Sequence, residues 1–159
     1  MKFLADGMLG KLTRWLRMMG HDVKYSPAFG DDELMVISKK EQKILLTRDL
    51  ELYQRSINKG INAFYVEGAS EAERLAELAK HFNFSLRVNL EASRCPKCNT
   101  RLRPVAKETI AEQVEVKTYA NYNEFWQCPS CSQVYWQGAH WKKICATLNE
   151  AKEKVGNMA

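Results

Sequence analysis

Lys43-Ile44-Leu45-Leu46-Thr47-Arg48-Asp49 is the stretch on which the fold turns. Ile44, Leu45 and Leu46 form an unbroken apolar run, as a central strand of a parallel sheet requires when both its faces are buried. The run stops at a charged pair, Arg48-Asp49. Shorter strands repeat the theme on either side. Lys2-Phe3-Leu4-Ala5 ends at Asp6, Val23-Lys24-Tyr25 precedes a loop over 26–30, and Ala63-Phe64-Tyr65-Val66 follows Gly60. The segments between them carry helical signals. Leu9, Leu12, Leu16 and Met19 recur at spacings of 3, 4 and 3, one apolar face of a helix from Met8 to Met19 that Gly20 closes. Asp31-Asp32-Glu33 opens a helix through Lys40; acids suit its first turn, and Asp31 can cap it. Helices are also expected over Leu50–Asn58 and, capped by Ser70 with Glu73 at the capping-box position, over Glu71–Phe82. A last strand could span Ser85–Val88. Strands alternating with helices define an α/β domain with a parallel sheet covered on both faces.

The remainder of the chain obeys a different logic. Cys95-Pro96-Lys97-Cys98 and Cys128-Pro129-Ser130-Cys131 are two C-x-x-C knuckles, and four thiolates can surround one Zn²⁺ tetrahedrally. They place a domain boundary just before the first knuckle: residues 1–92 as the α/β domain, residues 93–159 as a zinc ribbon with a C-terminal helix. Phe125-Trp126-Gln127 enters the second knuckle as a strand, and Gln133-Val134-Tyr135-Trp136 leaves it as a hairpin arm. The 29 residues between the knuckles exceed a minimal ribbon and imply an insertion, in which the alternating Val114–Tyr119 suggests a strand. A helix is expected from His140 to Lys154, with Gly156–Ala159 frayed. Cys145, the fifth cysteine, falls in that helix and reads as a buried apolar residue.

Composition narrows the class. With 159 residues, 45% hydrophobic and 27% charged, the chain is an ordinary globular protein. No apolar run approaches the roughly 18 residues that cross a bilayer, so no membrane partner is expected. Met1–Asp6 meets an acid and a glycine too early for a secretion signal, and a cytoplasmic location is expected. A reducing compartment favours metal over disulfides at paired knuckles. The net charge is +5; residues 1–93 carry 14 basic against 13 acidic residues, and residues 94–159 carry 10 against 6. The excess is compatible with a polyanion and does not demand one.

In a parallel sheet the strand C-termini share one edge, and ligand sites form there. Asp6 follows the first strand, Asp49 follows the third, and Asp31 and Asp32 begin the helix entered after the second. Carboxylates gathered in one cleft repel unless cations neutralise them, and Mg²⁺ or Mn²⁺ prefers such oxygen ligands. Asp31 and Asp49 could simply cap helices, whereas Asp6, after a short apolar strand that turns at Gly7, is harder to assign to structure alone. Two other motifs fail. Gly10-Lys11 lacks the flanking Gly and Ser/Thr of a phosphate loop, with Ala5 and Leu12 standing in their places. Asp6 is followed by Gly7, not by the second acid of a phosphoryl receiver. His21, His81 and His140 approach no nucleophile in any readable pattern.

Together these blocks resemble a known family. Phe3–Leu12, Trp15-Leu16-Arg17 and Gly20-His21-Asp22-Val23 look like the start of a PIN-like nuclease, and Asp31–Leu34 and Leu45–Asp49 match its next blocks. Arg94–Asn99, Phe125–Cys131 and Val134–Trp141 match its zinc ribbon. The whole, over about residues 2–143, is similar to the ribonuclease domain at the C-terminus of Mut-seven-type exoribonucleases, which also occurs free-standing in prokaryotes. The resemblance implies a PIN-like fold and metal-dependent RNA cleavage. It implies catalytic roles for Asp6, Asp31 and Asp49 as ligands of Mg²⁺ or Mn²⁺, with Asp32 as substitute for Asp31, and Glu67 as candidate for the fourth acid many PIN nucleases carry.

On this reading RNA is the partner and the zinc is structural, because four thiolates leave no open position for water. Lys11 and Arg14 could contact phosphates; Arg48 could do so or neutralise the acids, and Arg17 falls on a solvated face. In the ribbon, Lys97, Arg101 and Arg103 could meet phosphates while Trp126, Tyr135, Trp136 and Trp141 offer rings for bases or pack internally. PIN-like domains often pair, which leaves a homodimer open. The alternative is an adaptor that binds nucleic acid or the ribosome without catalysis; a toxin of a toxin–antitoxin pair is a third reading.

Overall fold

In a computed structural model, which describes residues 1–158, four short strands form one parallel sheet: β1 (Lys2–Ala5), β2 (Asp22–Tyr25), β3 (Ile44–Thr47) and β4 (Ala63–Tyr65), in the order β2-β1-β3-β4. The central pair aligns Phe3 with Ile44, Leu4 with Leu45 and Ala5 with Leu46. The chain leaves β1 for β2 on one side, then crosses over to β3 on the other. The order therefore reverses between β1 and β3, where a doubly wound sheet opens a crevice at its carboxyl edge.

The pleat sorts the side chains to two faces. Phe3, Ala5 and Leu46 join Leu9, Leu12 and Leu16 of the first helical segment, α1 (Gly10–Met18) with the 3-10 turn Gly7–Leu9 before it. The other face is smaller: Leu4 and Leu45 pack on Leu34 and Met35 of α2 (Asp31–Glu41) and Leu52 of α3 (Leu50–Asn58). α4 (Glu71–Phe82) lies with α1. Ser70 caps its start as expected, its hydroxyl accepting from the Glu73 N–H at 3.2 Å, while Glu73 reaches one residue beyond the capping-box partner and accepts from the Ala69 N–H at 2.8 Å. Gly20 ends the first helical segment with φ +96°, and a Cβ there would stand 2.9 Å from the Ala92 carbonyl oxygen.

The second part builds a three-stranded antiparallel sheet from β5 (Arg103–Val105), β6 (Phe125–Gln127) and β7 (Val134–Tyr135). Its C-terminal helix, α6 (Trp141–Asn157), returns to the α/β core. Leu148 and Ala151 are buried among the residues of α1 and α4, so the last helix completes the larger core.

Four local expectations differ from the structure. Val114–Tyr119 is not a strand: a 3-10 turn over Lys107–Gln113 leads into α5 (Val116–Asn121), and although Val114 packs on Ile110, Phe125 and Val134, Val116 is 86% exposed, so the alternation does not continue along a buried face. Ser85–Val88 adds no strand; Leu86 and Val88 are buried against the α1–α4 face without pairing in the sheet. Gly30, not Asp31, occupies the N-cap of α2. α6 continues through Gly156 to Asn157, with Met158 packed on the main core; Ala159 lies outside the described residues.

Candidate functional site

Each knuckle is a tight turn closed in the same way. The Asn99 N–H donates to the Cys95 carbonyl at 2.8 Å, and the Ser132 N–H to the Cys128 carbonyl at 2.9 Å. The residue after each second cysteine is left-handed, Asn99 at φ 69° and Ser132 at φ 66°. Cys95 and Cys128 donate their N–H groups to Thr100 and Gln133, which completes two matching loops. Facing each other, the loops bring all four sulfurs within 4.8 Å. Cys95 and Cys131 stand 3.7 Å apart, Cys98 and Cys128 3.2 Å. A tetrahedral zinc–thiolate site needs S···S separations of about 3.8 Å, so the cluster fits Zn²⁺ and could bind it. Tyr135 sets its hydroxyl 3.1 Å from Cys95 Sγ. Burial pushes the Cys98 thiol up to about 12, with the Cys128 contact adding to it. Burial also acts against the Cys128 thiolate, but the Cys131 N–H and Cys98 outweigh it and hold Cys128 at about 7. Cys145 is half-buried on α6, apart from the cluster.

The acids meet at the carboxyl edge of the central strands. Asp6 leaves β1 with its N–H donated to the Leu46 carbonyl at 3.0 Å. The wholly buried Thr47, the last residue of β3, joins it to Asp49: its hydroxyl donates to Asp6 Oδ2 at 2.8 Å and accepts from the Asp49 N–H at 2.9 Å. Asp49 caps α3, its Oδ1 accepting from the Leu52 N–H at 3.1 Å, which leaves Oδ2 for a ligand. Asp31 enters from the first turn of α2. Burial, then the charges of Asp49 and Asp6, push its carboxyl above the ordinary range; Arg55 opposes the shift and Glu51 adds to it. Arg55, on α3, stands 3.9 Å from Asp31 Oδ2 and 2.6 Å from Asp32 Oδ1. Asp32 is 85% exposed, against 47% for Asp31, so Asp31 is the member of the pair that feels the other acids. Among the described residues, only the four cysteines form a potential metal-ligand group with donor atoms all within 4.8 Å of one another. The acid edge is therefore the looser arrangement.

The family model for the Mut7-C RNAse domain matches residues 1–148. The chain belongs to the Mut7-C RNAse domain family. No curated protein and no solved structure gives a match. The family description points to a nuclease, with RNA as its substrate class.

The basic residues of this Mut7-C domain divide by position. Lys11 and Arg14 are exposed one turn apart on α1, which starts just beyond Asp6. Arg48 turns away from the acids: its guanidinium donates to the Val66 carbonyl at 3.3 Å and to the Gly68 carbonyl. The Glu67 N–H, with that of Gly68, donates to the Glu77 carboxylate; the Glu67 side chain is exposed. In the ribbon, Lys97 bonds Gln133 at 2.9 Å, and Arg101 and Arg103 are exposed. Trp126 is buried and donates to Glu91 at 3.3 Å, so it is a core residue. Trp136 packs against Phe125 and, with Tyr135 and Trp141, lines a cleft of about 580 Å³ between β7, α5 and the start of α6.

Three residues escaped the sequence reading. Thr47 has no role assignable from the strand pattern alone, and a hydroxyl two residues before an acid at a strand end is the available signal. Arg55 supplies the neutralising charge for which Arg48 was a candidate; its spacing from Asp31 and Asp32 gives no local cue. Arg17, expected on a solvated face, is 94% buried and reaches the first knuckle.

Proposed function

We propose that this chain is a PIN-like, metal-dependent ribonuclease that hydrolyses RNA phosphodiester bonds at the carboxyl edge of its parallel sheet. Asp6, Asp31 and Asp49 hold Mg²⁺ or Mn²⁺, with Asp32 as an outer, exchangeable carboxylate. One observation carries the reading: two acids just past the ends of adjacent strands, at the reversal of strand order, are tied by one buried hydroxyl, Asp6 through its carboxylate and Asp49 through its N–H, and a third acid lies in their field. Helix capping accounts for half of Asp49 and for none of Asp6 or Asp31.

The chain's own groups have distinct tasks. Thr47 fixes the separation of Asp6 and Asp49 against their mutual repulsion. Arg55 balances Asp31 and Asp32 until a cation takes over. Once bound, the ion supplies a water of lowered pKa and a positive charge for the leaving oxyanion. Lys11 and Arg14 lead the phosphate backbone toward Asp6. In this division residues 1–92 carry the chemistry. Residues 93–159, held by a structural zinc at Cys95, Cys98, Cys128 and Cys131, extend the RNA path through Lys97, Arg101, Arg103 and Trp136.

The test is cleavage of labelled single-stranded and hairpin RNA with Mn²⁺ by the intact chain and by a folded Asp6→Asn/Asp49→Asn variant. A fall of at least about a hundredfold in the variant is expected. Equal RNA binding with no cutting by either protein would replace this reading with the adaptor, and equal cutting by both would move the site elsewhere.

A further inference from the structure

Arg17 is a buried side chain that bonds to both parts of the molecule and has no carboxylate hydrogen-bond partner among the described residues. Nε and Nη2 donate to the Val23 carbonyl at 3.0 and 2.7 Å, and Nη1 donates to the Pro96 carbonyl at 2.9 Å. Its backbone joins the same contact, the Arg94 N–H donating to the Arg17 carbonyl at 2.8 Å. Arg17 therefore grips the chain on both sides of Cys95. Beside it, the Asn99 side chain completes the seam: Oδ1 accepts from the Val23 N–H at 3.1 Å, and Nδ2 donates to Asp22 Oδ1 at 2.7 Å. Asp22 is already engaged by Lys43 at 3.2 Å.

A guanidinium removed from water needs nearby negative charge, or its burial is strongly unfavourable. The carbonyls of Val23 and Pro96 supply dipoles only. Four thiolates around one divalent zinc carry a net charge of −2 and would supply the rest. Burial does weigh against the charged Arg17, and Cys95 and Cys98 are the first groups that offset it.

We propose that Arg17 is the counter-charge of the zinc–tetrathiolate centre and ties metal occupancy to the edge strand β2. The proposal rests on the four cysteines being a zinc site. The charge attraction raises zinc affinity, and the hydrogen bonds to Val23 carry the effect into the sheet. Zinc binding thereby orders a strand that contributes no ligand.

The test uses the full chain and has two arms. Zinc affinity is measured by competition with a chromophoric chelator for the wild type, Arg17→Met and Arg17→Lys. Arg17→Met should bind zinc about tenfold or more weakly, and Arg17→Lys, which keeps the charge, within about threefold of wild type. Hydrogen exchange of metal-free and zinc-loaded wild type forms the second arm, and it holds whatever the variants do. Zinc should raise the protection of the Val23 amide and its neighbours in β2 more than that of β4. Unchanged affinity in Arg17→Met, or β2 protection indifferent to zinc, overturns the proposal. Wild-type protein that takes up no zinc overturns the metal site itself.

Discussion

The thiol cluster and the carboxylate edge are both places where anionic side chains converge, and they are built in opposite ways. The thiols are drawn together by backbone: two knuckles with the same hydrogen bonds and the same left-handed exit fix four sulfurs at near-ligand spacing. The acids are kept apart and individually tethered, Asp6 to Thr47, Asp49 to its helix, Asp31 to Arg55. A site closed around soft ligands is suited to keep its ion, whereas an open edge of hard ligands can exchange water and substrate. The two sites differ in how much of each the backbone determines, which suits the proposed roles of holding an ion at the thiols and exchanging one at the acids.

The strongest challenge to that contrast is selective metal removal. Stripping zinc, or the change Cys128→Ser, should lower exchange protection across 94–138 by on the order of a thousandfold, with β2 following in lesser degree. Withdrawing Mg²⁺ or Mn²⁺ should leave the exchange pattern as it was. Equal losses in both cases would mean that the acid edge is as structural as the knuckles.

A smaller effect is expected at Thr47→Val. The substitution keeps shape and removes one hydroxyl, so the Asp49 N–H loses its acceptor and Asp6 its donor. Stability should fall by about 1–3 kcal/mol in denaturant melts, and turnover by about tenfold as the two acids drift. Full activity in a folded Thr47→Val protein would detach the hydroxyl from the site.

The smallest effect sharpens the electrostatic half of the comparison. The Asp31 carboxyl is raised by burial and its acidic neighbours, so the folded state binds its proton more readily than the unfolded state does. Its ionised form opposes folding at neutral pH, and that opposition disappears as pH falls below the ordinary carboxylate range. Asp31→Asn should therefore raise the Tm of cation-free protein at pH 7 by about 1 °C, small because the side chain is half exposed, and by nothing near pH 3. A lowered Tm at pH 7 would contradict the repulsion.

Much of this was legible in the sequence because it is local. The uninterrupted Ile44–Leu46 run gave a central strand, Ser70 and Glu73 a helix start, and paired C-x-x-C turns a thiol cluster. Asp6 and Asp49 could be expected at one edge because parallel topology leaves little choice. What escaped lies between elements distant along the chain. Nothing near Arg17 in sequence reveals Pro96, 79 residues away, and an amphipathic pattern assigns a long cation to solvent by default. Val114–Tyr119 fails for the converse reason: the alternation is present, but only Val114 finds an apolar neighbour and Val116 points to solvent.

β2 is a terminal strand of the larger sheet, where unpaired peptide groups can recruit a foreign chain. At Val23 both groups are already occupied, the N–H by the Asn99 side chain and the C=O by Arg17. Asn99 of the first knuckle and Arg17 of α1, itself held by the Pro96 carbonyl, thus cap the sheet with side chains instead of a further strand. A chain that loses this knuckle would expose a sticky border, so metal starvation would be read out as precipitation through strand-to-strand growth long before the α/β core itself came apart.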